Sequence, residues 1–89
     1  MAHWLYVLRC GDGTLYTGYT TDVSARIGAH AAGRGARYTR GRGPLILAAA
    51  WIYPDKRTAL QAEYRFKQLA RSVKLRWLGE ATVDPVTHP

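Results

Sequence analysis

Cysteine occurs once in this chain of 89 residues, at Cys10. An internal disulfide is therefore impossible, and so is a zinc site built from cysteines. That poverty favours a reducing, intracellular setting. The N-terminus lacks a charged segment followed by a long apolar stretch, so no secretory signal is read there. The longest apolar run, Leu45 to Tyr53, falls far short of the roughly 20 residues a membrane helix needs. The expected location is the cytoplasm, with no membrane association. Acidic side chains are also scarce: six Asp and Glu stand against thirteen Lys and Arg, a net charge of +7.

What is present is basic and apolar. Hydrophobic residues make up 47% of the chain, enough for one small domain to fold without help and unlike a disordered basic tail. Ten of the thirteen cations are arginines, the side chain best shaped to grip phosphate with two hydrogen bonds. Nucleic acid is the natural partner, DNA first and RNA as an alternative, with an acidic membrane surface as the weaker option.

His3 to Cys10 reads as a strand that is apolar on both parities, so both of its faces should be covered. A turn at Gly11-Asp12-Gly13-Thr14 and a second strand from Leu15 to Thr20 complete a hairpin. Thr21 or Asp22 can cap a helix running to about Ala32. A glycine- and arginine-rich loop extends from Gly33 to Pro44. Leu45 to Tyr53 suits a third strand, although its three alanines would also suit a helix; the flanking prolines and short length decide for strand. Asp55 should cap an amphipathic helix reaching Val73, with a break near Ser72 and a short helix to Leu78 that Gly79 ends. The expected order is β-β-α-β-α-α, an α+β domain with a small three-stranded antiparallel sheet flanked by helices. Residues 1–79 would form the domain and 80–89 a flexible tail.

Glu63 is the most informative residue. Ala59, Ala62, Phe66, Leu69, Ala70 and Val73 share one helix face, and Glu63 lies about 20° beyond its edge. A buried carboxylate is costly unless it is paired, hydrogen-bonded or bound to a metal. A salt bridge or an escape to solvent accounts for a lone glutamate, so its company matters. Lys67, one turn later, either pairs with Glu63 or reaches toward a substrate phosphate.

The first helix carries a similar anomaly. Val23, Arg26, Ile27 and His30 follow the i, i+3, i+4, i+7 spacing of a core-facing stripe, yet Arg26 is a permanent cation and His30 titrates near neutral pH. Either alone could be a helix-edge residue reaching water. In the hairpin, Tyr6 and Tyr16 suit strands on packing grounds. A two-residue Asp12-Gly13 turn would set Tyr6 opposite Tyr19 and put Tyr16 on the other face. A three-residue loop, Gly11-Asp12-Gly13 with Gly13 left-handed, shifts the register by one and puts both tyrosines on one face. The Gly/Arg loop holds Arg34, Arg37, Arg40 and Arg42 with no acidic residue, and Tyr38 is available to stack on an unpaired base. The alternative for this loop is a solvated, mobile segment with incidental charge.

These pieces resemble, in order and spacing, the GIY-YIG nucleases, and most of all their small stand-alone bacterial members, the URI-domain proteins. Trp4-Leu5-Tyr6 and Tyr16-Thr17-Gly18 match the paired motif. Arg26 and His30, the run Gly33 to Arg40 and the run Ala62 to Leu69 follow, so the resemblance covers residues 3 to about 78. It implies an endonuclease dependent on Mg²⁺ or Mn²⁺ that hydrolyses phosphodiester bonds in DNA, branched or damaged DNA in repair or recombination being the expected substrate. By the same pattern Glu63 holds the cation, Arg26 supports the scissile phosphate or attacking water, and Tyr6 serves as general base with Tyr16 polarising it or the water, or the two tyrosines exchange these roles. His30 would hydrogen-bond a tyrosine or relay a proton, and Arg34, Arg37, Tyr38, Arg40 and Lys67 would bind substrate. The chain departs from the pattern in lacking the leading glycine of the first motif and in carrying Thr17 for isoleucine. Many relatives also have an asparagine beyond the metal-binding glutamate, and this chain has none. With no second domain expected, specificity would come from DNA shape or a protein partner, and the protein would act as a monomer or weak dimer. The alternative is a nucleic-acid-binding module or repair adaptor without turnover.

Overall fold

A computed structural model describes residues 2–81. Strands β1 (His3–Arg9), β2 (Leu15–Thr20) and β3 (Ile46–Tyr53) form one antiparallel sheet in the order β2-β1-β3. Helices α1 (Val23–Ala31), α2 (Lys56–Gln68) and α3 (Arg71–Ala81) complete the expected order, with a single 3-10 turn at Arg37–Thr39. Among the described residues no helix is long and apolar enough to cross a membrane.

The central position of β1 explains its composition. Leu5 and Val7 pack with Ala49, Trp51, Phe66 and Leu78 on one face of the sheet. Tyr6 and Leu8 pack with Ala50 on the other, where Val23 and Ile27 of α1 cover them. Each fully buried large apolar side chain contributes about 1.5–3 kcal/mol, so β1 anchors both layers.

The hairpin takes the three-residue loop. Tyr6 pairs with Gly18 and Leu8 with Tyr16, and Gly13 has φ 86°, a region glycine enters without steric cost. Tyr6 and Tyr16 therefore point to the same face.

Both aspartate caps form. The Asp22 side chain accepts the Ala25 amide at 3.0 Å, and the Asp55 side chain accepts the Thr58 amide at 2.8 Å. The expected single helix from Asp55 to Val73 is corrected: α2 stops at Gln68, and Leu69 is extended (φ −70°, ψ 146°). The reason is burial further on. A continuous helix rising about 1.5 Å per residue would carry Leu78 away from the sheet. The break at Leu69-Ala70 instead turns α3 back, so that Leu78 joins the core and Trp77 meets Trp51 and Phe66 edge-on. Ala70, placed on the buried face by its spacing, is consequently exposed. Gly79 does not end α3, which continues to Ala81; a glycine inside a helix costs only about 1 kcal/mol. Of the expected flexible tail, residues 80 and 81 are helical and residues 82–89 lie outside the described residues.

Candidate active site

The α1 face of the sheet holds a buried polar cluster. Tyr6 on β1 is 0% exposed, and its hydroxyl lies 2.7 Å from His30 Nε2. Room for the phenol comes from Gly18, directly opposite on β2, where a Cβ would fall 2.6 Å from the Tyr6 Cζ and Oη. Tyr16 sits edge-on to the His30 ring at 5.1 Å between centroids and 6.2 Å from Tyr6.

The hydrogen bonds around His30 determine its tautomer. The Ala36 amide donates to Nδ1 at 3.2 Å. The Thr39 hydroxyl lies 2.8 Å from Nδ1 and 2.9 Å from the Ala36 carbonyl; its single proton serves one of them, and a bare Nδ1 takes it. A backbone N–H is only a donor, so Nδ1 carries the lone pair and Nε2 carries the proton. His30 Nε2–H therefore donates to the Tyr6 oxygen. Burial first, then the Arg26 charge, holds the His30 pKa below its usual value, which keeps the ring in this neutral form. Gly35 lets the loop close on the ring, since a Cβ there would collide with Nδ1.

Arg26 completes the cluster from the next turn of α1. Burial pushes the Tyr6 phenol up to about 12; the hydrogen bond and charge of Arg26 pull against that rise, and Tyr16 adds to it. Reciprocally, the hydrogen bond to Tyr6 is the main reason the Arg26 pKa is raised. Among the described residues no buried side-chain nitrogen or oxygen lacks a partner.

The Gly/Arg loop is fastened to this cluster and to the hairpin. Gly33 (φ 77°) ends α1, Thr39 is held by His30, and Arg42 forms an ion pair with Asp12 in the hairpin turn. The Thr14 hydroxyl and amide, and after them Arg42, hold the Asp12 carboxyl down at about 2. Arg34, Arg37 and Arg40 line the loop, with Arg34 and Arg40 separated by the 3-10 turn. Tyr38 is 42% exposed; its ring lies 5.8 Å from Tyr16, and the Arg42 guanidinium stands 4.4 Å from its centroid.

Glu63 stands apart, on the opposite layer. Its helix packs on the Leu5–Trp51 face through Ala59 and Phe66. The Glu63 side chain is 18% exposed, and Lys67 Nζ lies 3.4 Å from its Oε2, so the spacing that left Lys67 open resolves to an ion pair. The two layers meet around β2, the edge strand, in a cleft of about 300 Å³ lined by Tyr16, Thr17, Tyr38 and Lys67 among others. The structure thus gathers Tyr6, Tyr16, Arg26 and His30 into one cluster, with Glu63 and Lys67 across the edge of β2 and three arginines on the attached loop.

Sequence reasoning passed over three contributors. Gly18 carried a signal, because a glycine inside a strand marks close approach of another group. Gly35 was one glycine among several, and nothing separated Thr39 from any other loop threonine.

A model of the GIY-YIG catalytic domain matches residues 2–76. The chain is 55% identical over 74 residues to the UPF0213 protein BH0048 of Halalkalibacterium halodurans, covering 83% of this chain and 79% of that one. It is 52% identical over 79 residues to a UPF0213 protein of Streptococcus sanguinis, covering 89% and 91%. Among solved structures, the NMR structure of protein EF2693 from E. faecalis is similar at a TM-score of 0.64 and 35% identity, covering 100% of this chain and 95% of that one.

Proposed function

Because the chain belongs to the GIY-YIG catalytic-domain family, we propose that it is a divalent-metal-dependent endonuclease that hydrolyses phosphodiester bonds in DNA, with branched or damaged DNA of repair or recombination as its substrate. The observation that carries this reading is the buried Tyr6–His30 pair beside Arg26, opening at Tyr16 onto a cleft edged by Lys67.

In this reading Tyr6 accepts the proton of the attacking water as the new P–O bond forms and the bridging P–O bond breaks. The His30 Nε2–H and Arg26 stabilise the phenolate that this requires, and burial opposes it. Tyr16 orients the water, Arg26 faces the charge growing on the phosphate, and Arg34, Arg37 and Arg40 hold the flanking backbone.

Among the described residues no three His, Cys, Asp or Glu side chains cluster into a metal cage. The single part-exposed carboxylate of Glu63 suits Mg²⁺ or Mn²⁺ all the same, since Mg²⁺ keeps several waters and needs few protein ligands. Bound there, the cation would neutralise charge on the phosphate and the departing oxygen.

The Glu63–Lys67 ion pair favours a second reading, a nucleic-acid-binding module or adaptor without turnover, because it leaves the carboxylate already compensated. One experiment separates the two. Labelled duplex, single-stranded and branched DNA, and RNA, are incubated with the protein plus Mg²⁺, Mn²⁺ or chelator, beside a Glu63→Gln variant. Metal-dependent cleavage lost in the variant supports the nuclease. Binding without cleavage under every condition supports the module, and activity that survives Glu63→Gln removes Glu63 from the chemistry.

A further inference from the structure

The expected stacking platform, Tyr38, is 42% exposed and already neighbours Tyr16 and Arg42. The most exposed aromatic of the described residues lies elsewhere. Tyr64 on α2 is 67% exposed and makes no ring contact among the described residues. Around it Lys56, Arg57, Leu60, Gln61 and Arg65 line a shallow, open depression. Residues 56, 60 and 64 form one i, i+4 ridge and 57, 61 and 65 the next, so cations flank the tyrosine on the same helix face.

Helix stability accounts for Arg65, which stands in the last turn of α2, but not for Lys56 and Arg57. Lys56 and Arg57 occupy the first turn of α2, which contains no acidic residue, and there the helix dipole disfavours positive charge by about 0.3–1 kcal/mol each. None of Lys56, Arg57 and Arg65 forms an ion pair among the described residues. The face is also continuous with the candidate site. Helix α2 runs beside β2, with Lys56 Nζ 5.9 Å from the Tyr19 ring at one end and Lys67 lining the cleft with Leu15 and Tyr16 at the other. At about 100° per residue Glu63 and Lys67 border the Lys56 ridge. Glu63 thus lies between two basic surfaces, the Gly/Arg loop and the outer face of α2.

We propose that the outer face of α2 is a second nucleic-acid surface, which takes an unpaired strand leaving the cleavage site: Lys56, Arg57 and Arg65 contact its phosphates and Tyr64 stacks on a base. This rests on the nuclease reading and extends its substrate to nucleic acid with a single-stranded flank. The span fits. Lys56 and Arg65 are separated by about 13 Å along the helix axis, room for two or more phosphates even of a strand stretched beyond the roughly 3.4 Å stacked spacing of duplex DNA.

The test is binding, measured by fluorescence anisotropy over a range of salt. The probes are a labelled single strand, the blunt duplex of the same sequence and that duplex with a single-stranded flap, all in a Glu63→Gln background so that nothing is cut. The combined Lys56→Ala, Arg57→Ala, Arg65→Ala variant should make the slope of log affinity against log salt less negative, by about 0.7 for each phosphate of the single strand that is no longer neutralised. Tyr64→Ala should weaken the single strand and flap by about five- to 150-fold and leave the blunt duplex near its starting affinity. The Lys56, Arg57, Tyr64 and Arg65 substitutions are at exposed positions, and circular dichroism checks that α2 is retained.

The comparison pair is Arg37→Ala with Arg40→Ala. If that pair weakens binding while the α2 variants bind all three DNAs like their parent, the second surface is overturned and the face is left to a protein partner, with the nuclease reading intact. Equal weakening on duplex and single strand in Tyr64→Ala overturns the stacking role. If the parent protein binds none of the three DNAs, the nuclease reading fails first.

Discussion

The Tyr6 hydroxyl accepts a hydrogen bond from His30 across 2.7 Å, in a buried pair separated by 24 positions in the chain. Since His30 is in turn held by the Ala36 amide and the Thr39 hydroxyl, the arginine-rich loop and the phenol form one hydrogen-bonded unit. Docking of the loop therefore sets the direction in which the Tyr6 proton points: away from His30 and Arg26, which both donate to the phenol oxygen, and toward Tyr16 and the cleft.

Replacing Tyr6 by Phe removes the acceptor and leaves His30 Nε2–H buried without a partner. The expected cost in stability is about 1–3 kcal/mol, read by chemical denaturation. Cleavage in a single-turnover assay should fall by at least about 100-fold, the lower range for loss of a general base. A Tyr6→Phe protein that is folded and cuts at the parental rate would remove Tyr6 from the chemistry.

The pH dependence follows from the same pair. Burial pushes the Tyr6 pKa up to about 12, so the reactive phenolate is a small fraction at neutral pH and grows about tenfold per unit. Single-turnover cleavage should rise steadily from about pH 6 to 9; a flat profile with chemistry rate-limiting would exclude a tyrosine base. Stability responds with the opposite sense. A raised Tyr6 pKa contributes stability that is complete below the unfolded value of about 10 and is lost as pH climbs to about 12. The depressed His30 pKa contributes stability present above about 6.5 and lost as pH falls below it, because burial first and then the Arg26 charge oppose the protonated ring.

How much of this could be read beforehand depends on how local each cause is. The Asp22 and Asp55 caps, the doubly covered β1 strand and the Arg26–His30 stripe all follow from spacings of a few residues. The hairpin register hung on one choice, whether Gly13 adopts positive φ, and either choice was compatible with the residues alone. The break after Gln68 carries no proline or glycine to mark it, since it is imposed by the burial of Leu69 and Leu78. The Thr39–His30 bond and the placement of Glu63 across the sheet from Tyr6 arise from packing between distant segments, which periodicity does not encode.

Gly18 offers a test of the space that the tyrosine occupies. A Cβ there would stand 2.6 Å from the Tyr6 ring end, and because Tyr6 is clamped by His30, the ring cannot yield without breaking that bond. Gly18→Ala should cost about 1–3 kcal/mol and reduce cleavage by as much as Tyr6→Phe. Gly28→Ala, on α1 with nothing near its Cβ, is the control: it should raise stability by about 0.5–1 kcal/mol. Equal behaviour of the two variants would mean that Tyr6 and β2 do not crowd as described.

Thr39 separates positioning from mere loop stability. Its hydroxyl lies against His30 Nδ1 and its side chain is buried, but it stands one residue behind Tyr6 and touches no reacting group. Thr39→Ala leaves the Ala36 amide as the single hold on Nδ1, so the His30 ring should lose orientation and cleavage should fall about tenfold, the worth of one hydrogen bond. Thr39→Ser restores the hydroxyl and should restore the rate. The nitrogen chemical shifts of His30 give a readout that loop stability alone would not move: the parent and Thr39→Ser proteins should show Nε2 protonated and Nδ1 bare, and Thr39→Ala a mixture of tautomers. Parental cleavage and an unchanged tautomer in Thr39→Ala would show that the Ala36 amide suffices and that the threonine has no part in orienting Tyr6.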